Sequence, residues 1–182
     1  MHEKTDHLST WKSEIRINIM STETIQAISD DEALTFNPHV TVATIIERDG
    51  RFLMVEEYSS GGRAVINQPA GHLEADETLI EAAVRETLEE TRWNVEITGL
   101  LNMNLYLSPN NGITYHRTTF IGKAISEDIN AKLDDGIIQA MWLTPAEIEA
   151  RQAQHRSPIV SKAIQQYLND PHYPLAMISD YR

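Results

Sequence analysis

Gly71–Trp93 reads GHLEADETLIEAAVRETLEETRW, and the reading of the whole chain turns on this stretch. Between Leu79 and Thr91 there is neither Gly nor Pro. Thr78 followed by Glu81 is a capping-box pattern, and Asp76 and Glu77 put negative charge ahead of the first turn. At about 100° per residue, Ile80, Val84, Thr87, Leu88 and Thr91 form one stripe. A helix buried along that stripe is therefore predicted. Glu86, Glu89 and Glu90 fall at i, i+3 and i+4 and cluster on the opposite side. Ala82 and Ala83 flank the acids, so another piece of chain can approach closely, and the loop Gly71–Asp76 is expected to fold back there. Arg85 stands one turn from Glu81 and Glu89 and is placed to orient a carboxylate. Acids this close repel one another. A hard divalent cation offsets that repulsion, because carboxylate oxygens are the ligands Mg²⁺ and Mn²⁺ prefer. The plain alternative is a solvated acidic face.

The wider pattern speaks against that alternative. Gly71, Glu77, Arg85, Glu86, Glu89 and Glu90 all fall at the fixed positions of G-x5-E-x7-R-E-U-x-E-E-x-G-U, where U is apolar. The chain resembles a Nudix hydrolase. Two positions depart from the pattern. Thr87 stands where an apolar residue is usual, so its hydroxyl needs a partner such as a carbonyl one turn back. Arg92 replaces the Gly that ends the helix in a left-handed conformation; the helix is expected to run on by a residue, with Asn94 as cap. Neither change removes a metal ligand. PHVTVA (from Pro38), NQPAGHLEADETL (from Asn67), RSPIV (from Arg156) and YPL (from Tyr173) further resemble one bacterial phosphatase branch of the family, with His72 and Leu73 in place of the more usual second Gly and its neighbour. That likeness runs from about Pro38 to Tyr181. It implies a Mg²⁺-dependent hydrolase of nucleoside di- and triphosphates and of hydroxymethylpyrimidine pyrophosphate.

Pyrophosphate hydrolysis needs charge neutralisation on phosphoryl oxygens and an activated water held in line. The resemblance implies that Glu86 and Glu90 hold the principal ion with the Gly71 carbonyl. Glu89 is then a second ligand or the general base, with Arg85 fixing it, and Glu86 is the other candidate base. Glu77 is expected to tie the loop to the helix start, and Glu74 points into the same loop. Asp134 and Asp135, with Glu127 behind them, are candidates for an acid from a later loop. His72, Gln68 and Arg156 are the substrate-binding candidates. Arg63 and Lys123 are possible phosphate contacts. Tyr106, Tyr115 and Trp142 are large enough to stack on a base, core packing being the better reading of Trp142. His39 and His116 read as structural.

At 182 residues the chain has the length of one domain, and 41% hydrophobic content is ordinary for a globular protein. There is no cysteine, which excludes disulfides and thiol catalysis. No apolar run approaches a membrane span, and the first 37 residues carry no apolar leader, so a cytoplasmic enzyme is expected. The net charge of −12 argues against general nucleic-acid binding. It also predicts that binding of an anionic small-molecule pyrophosphate fails without metal. A second reading is an ADP-ribose-type hydrolase, from Pro109 downstream of the box. A third is a non-catalytic nucleotide-sensing module, which usually shows a damaged box. Oligomeric state is not legible.

Outside the box, Met1–Asn37 reads as an extension, frayed or loosely docked, with Met20 as an alternative start. Residues 38–182 form the Nudix domain. Val40–Glu47 and Phe52–Tyr58 are β-rich runs joined at Asp49-Gly50, a hairpin signal. Ala64–Gln68 is a short strand. Val95–Leu107 and Ile113–Ala124 read as a second hairpin around Ser108–Gly112. Ile137–Leu143 is a strand. Thr144-Pro145 starts a helix to about Gln152, and Ser157-Pro158 starts another to Leu168. The order suits an α/β (α+β) sandwich, a mixed sheet with helices on both sides.

Overall fold

The computed structural model describes residues 36–181. The expectations for 1–35, Met20 included, lie outside the described residues. Strand β1 (His39–Arg48) turns into β2 (Arg51–Tyr58), and the turn residues Asp49 and Gly50 both take positive φ, 55° and 75°. That geometry matches the strand twist, and Gly at its second position adopts it without steric cost. There follow β3 (Ala64–Asn67), β4 (Ala70–His72), helix α1 (Leu79–Thr91), β5 (Trp93–Leu107), β6 (Thr114–Glu127), β7 (Ile137–Leu143), α2 (Pro145–Ala150) and α3 (Ile159–Asn169).

The seven strands make one mixed sheet. β1 is central: it runs parallel to β6 from His39–Tyr115 to Ile46–Gly122, and antiparallel to β4 through Thr41–His72, Val42–Gly71 and Ala43–Ala70. β5 lies outside β6, while β2 carries β3 on one edge and β7 on the other. The apolar residues alternate between two cores. Ile45, Phe52, Met54 and Ile121 pack with Ile148 of α2 and with Val160, Ala163 and Ile164 of α3. Val42, Ile46, Leu53 and Phe120 pack with Ala82 and Ala83 of α1 on the other face. Phe52, Leu53, Met54 and Val55 are each at most 1% exposed, the continuous apolar run of a strand covered on both faces. Each such burial is worth about 1.5–3 kcal/mol.

The expected sandwich is present, with local differences. β4 is an additional strand. Ala-Gly-His has little strand propensity of its own, and pairing to β1 imposes it. β5 starts at Trp93, two residues early, and β6 runs on to Glu127, because the two strands pair along their whole length through three irregularities. α2 ends at Ala150, followed by a 3₁₀ turn over Gln152–Gln154. α1 ends at Thr91: Arg92 itself takes the left-handed conformation at φ 65°, and its amide donates to the Leu88 carbonyl. Asn94 therefore does not cap the helix, and the chain enters β5 directly. The buried face of α1 is also rotated from the predicted stripe. Ala82, Ala83, Thr87, Glu90 and Thr91 are buried, while Ile80, Val84 and Leu88 are half-buried. The small alanines let β1 approach, which draws Glu90 inward from the acidic side. Thr87 finds the partner anticipated for it, donating to the Ala83 carbonyl at 2.7 Å.

Candidate active site

The capping box forms as expected. Thr78 Oγ1 accepts the Glu81 amide, and Glu81 accepts the Thr78 amide. Glu81 is thereby engaged at the helix start, and Arg85 orients carboxylates as expected. The Arg85 guanidinium donates to both oxygens of Glu77 (2.9 and 2.7 Å), to Glu86 Oε1 (2.8 Å), to Glu89 Oε2 (3.0 Å) and to the His72 carbonyl (3.0 Å). Its pKa is raised, first by the Glu77 hydrogen bonds and then by Glu86 and Glu89, against burial. The planar fork suits such multiple acceptance. Glu77 also accepts the Glu74 amide at 2.7 Å, so it ties the loop to the helix. Glu74 itself is exposed.

Glu86 lies against the backbone of Gly71, where a Cβ would overlap its carboxylate, so a larger residue here would have to push that carboxylate aside. Glu90 is 8% exposed and accepts the Ala70 amide at 2.8 Å. Burial pushes its carboxyl up to about 9, with Glu57 and Glu86 adding to the rise and the Ala70 amide and Arg156 opposing it. Glu86 is raised as well, by burial first, against Arg85, with Glu89 and Asp134 adding. The donor chemistry suits a hard divalent cation: carboxylate oxygens that suppress one another's ionisation, gathered against the backbone of β4. The rotamers are those of the arginine-bound arrangement. Among the described residues no three acid or histidine side chains surround a common point, because Glu86 and Glu89 turn onto Arg85 and Glu90 onto Ala70.

Beside β4 opens a cavity of about 570 Å³ whose wall includes Ala70, Gly71 and His72. Of the substrate-binding candidates, His72 and Arg156 line it. Gln68 does not: its side chain is fully buried, donating to the Val160 carbonyl (2.9 Å) and accepting from Arg117 (3.1 Å). Gln68 follows the end of β3 and turns inward, so the structure places it beneath the cavity rather than on its wall. Arg63, Tyr106 and Tyr115 line the cavity too. Lys123 is exposed on the part of β6 opposite Glu96. Trp142 packs edge-on against Trp93 with the Arg48 guanidinium over both rings, so packing holds it. His39, His72 and Tyr115 form a cluster of ring contacts with centroids 5.5 to 6.3 Å apart. His72 has a lowered pKa, from burial and then from His39 and Arg156. His116 lies half-buried in β6, opposite Leu105.

Of the later acids, Asp134 docks on the helix: its amide donates to the Glu89 carbonyl at 3.0 Å, and its charge reaches Glu86. Asp135 is exposed beside it, and Glu127 sits at the end of β6 opposite Trp93. Two cavity residues escaped sequence reading. Glu57 accepts from Arg156 at 2.6 Å and from Asn67 at 3.2 Å, and burial raises its pKa. Arg117 is buried in β6. The available signals were an acidic pair closing the apolar run of β2 and an arginine at the head of the buried run of β6.

A mixed sheet between helices, with a glutamate-rich helix pinned by arginine against a glycine strand, defines a class, and comparison with known proteins agrees. The family model for the NUDIX domain matches residues 35–163. This chain belongs to the Nudix family, and it is a hydrolase acting on phosphoanhydride bonds. It is 38% identical over 151 residues to Phosphatase NudJ of Escherichia coli K12, covering 80% of this chain and 94% of that protein. Among solved structures it is similar to a NUDIX hydrolase from Nitrosomonas europaea, at 43% identity and TM-score 0.78, covering 80% of this chain and 98% of that one. An ADP-ribose pyrophosphatase from Streptococcus suis, 13% identical with TM-score 0.56 over 75% of this chain and 96% of its own, shares the fold. Among the described residues no helix is long and apolar enough to cross a membrane.

Proposed function

We propose that the chain is a Mg²⁺-dependent pyrophosphohydrolase, with Mn²⁺ as a substitute, acting on nucleoside di- and triphosphates and on hydroxymethylpyrimidine pyrophosphate in the cytoplasm. The observation that carries this reading is Glu90, a carboxyl held up to about 9 by burial and bound to the Ala70 amide, with Glu86 lying against the next residue, Gly71. Glu86, Glu90 and the Gly71 carbonyl are the proposed ligands, joined by Glu89. A bound divalent ion would neutralise phosphoryl oxygens and lower the pKa of a water. Everything else falls to the chain. Arg85 holds Glu86 and Glu89 on one side of the helix, so that whichever is released takes the proton from the attacking water. His72 and Arg156 position the substrate from the cavity wall. Tyr106 and Tyr115, cross-strand partners, offer ring faces to a base or pyrimidine.

The ADP-ribose reading rests on Pro109 alone, and the local turn accounts for that proline as well. Ser108–Gly112 is a turn closed by the Gly112 amide on the Ser108 carbonyl, and Pro109 serves that turn, while Ser108, Asn110 and Asn111 line the cavity. The sensing reading meets a box with every acid present. Phosphate release from a panel of nucleoside and pyrimidine pyrophosphates, with and without Mg²⁺, is the test. Metal-dependent turnover ranked by catalytic efficiency supports the proposal and orders the substrates. Metal-independent ligand binding with no turnover would instead favour the sensor.

A further inference from the structure

The cavity has a floor that the hydrolytic groups leave without a task. Arg117 sits in mid-strand on β6, with Thr41 of β1 and Asn104 of β5 as its register neighbours, and it lines the cavity while only 8% exposed. One terminal nitrogen donates to Gln68, which is fixed in turn on the Val160 carbonyl. The Nε–H of Arg117 is buried and meets no acceptor. Buried polar groups are nearly always paired, so an unpaired donor of a buried cation calls for a partner from outside the chain. Burial lowers the Arg117 pKa to about 10, a value that leaves it charged at neutral pH.

The surroundings favour an anion. Arg63 and Arg156 line the same cavity, and so do Ser157 and Ile159 at the start of the eleven-residue α3, the positive end of that helix. The lining carboxylate is Glu57, and it is already engaged by Arg156 and Asn67. Three arginines against one carboxylate make this a locally positive pocket in a protein of net charge −12. Asn67 Oδ1 is also buried without a partner on the cavity wall, an acceptor for a hydroxyl or amine of the same ligand.

We propose that Arg117, with Arg156 and the N-terminus of α3, forms an anion subsite that holds a phosphate group of the substrate other than the one attacked, and holds it without metal. Naming the anion a phosphate rests on the hydrolase reading. Arg117 lines the same cavity as Ala70 and Gly71, whose strand carries Glu90 through the Ala70 amide, so the subsite and the acidic helix flank one strand. The subsite runs against the expectation, drawn from overall acidity, that phosphate binding fails without metal. Arg117 is then a specificity-determining residue, selecting substrates with a further phosphate.

The test uses the full chain in EDTA with inorganic pyrophosphate as probe. In the wild type, the Arg117 Nε–Hε resonance, assigned by its loss in Arg117→Lys, is expected to move on titration. Arg117→Met is expected to bind the probe more weakly by roughly tenfold or more, as loss of a charge-assisted contact implies. In Mg²⁺ the same variant is expected to raise KM for a triphosphate far more than it lowers kcat. An unmoved Nε–Hε resonance in the wild type, or wild-type affinity in a folded Arg117→Met, would overturn the subsite. Because the resonance is read on the wild type and assigned with the charge-preserving Arg117→Lys, a failure of Arg117→Met to fold does not remove the test. Wild-type turnover in Mg²⁺ is scored separately: its absence alongside metal-free pyrophosphate binding sinks the hydrolase assignment and leaves the anion subsite standing.

Discussion

Glu90 is the residue on which the chemistry turns. A carboxyl that is 8% exposed and near two others keeps its proton at neutral pH until a cation replaces it. Glu90→Gln keeps the shape and the acceptor for the Ala70 amide but cannot ionise. Turnover is expected to fall by roughly a hundredfold or more. The metal-free melting temperature is expected to hold or rise, since no charge is forced into the site. A large fall in metal-free stability would show instead that the cluster is structural. The pH dependence has a definite sign. Glu90 has an ordinary value of 4.5 and a folded value of about 9, so between the two the folded chain binds the extra proton. Its contribution is complete below the lower value and is lost as pH rises through the window. Metal-free protein is therefore expected to melt lower at about pH 8.5 than at pH 6, two points inside that window, and Glu90→Gln to flatten the difference. An equal slope in both proteins would contradict the assignment.

At the scale of elements, α1 shows both what sequence carries and what it hides. Its start, its capping box and the tie from Glu77 were legible, because they depend on residues within a turn or two of one another. The rotation of its buried face was not. Helical periodicity ranks side chains by polarity, whereas Ala82 and Ala83 are buried for being small enough to admit β1. The same limit hid Gln68 and Arg117, whose roles come from β3, β6 and α3 meeting across the sheet. The Arg92 cap differs again. Backbone closure onto Leu88 overrides the reluctance of Arg to take φ 65°. Arg92→Gly restores the residue that pays no steric cost there and is expected to stabilise the fold by about 0.5–1 kcal/mol. Chemical denaturation reads it, and a destabilised variant would mean that the Arg92 side chain, not its backbone, matters at this corner.

Across the whole molecule, the sandwich was readable from the order of elements, and the two cores follow from strict alternation along β1 and β2. Residues 1–35 lie outside the described residues. Deleting Met1–Met20 is expected to leave kcat/KM intact. A loss of about tenfold, ~1.4 kcal/mol of barrier, would show that the extension contributes to the pocket. The acidity of the chain and the anionic nature of its proposed substrate are reconciled by division of labour. Carboxylates of α1 gather on one side of β4 to receive a cation, and arginines gather in the cavity on the other to receive an anion. The claim underneath is that a divalent ion belongs among Glu86, Glu89 and Glu90. Calorimetric titration of Mg²⁺ or Mn²⁺ into EDTA-stripped, dialysed protein at neutral pH addresses it directly. The account predicts saturable uptake with release of protons, abolished or severely weakened in Glu90→Gln. No uptake by the wild type, or uptake unchanged in that variant, would contradict it.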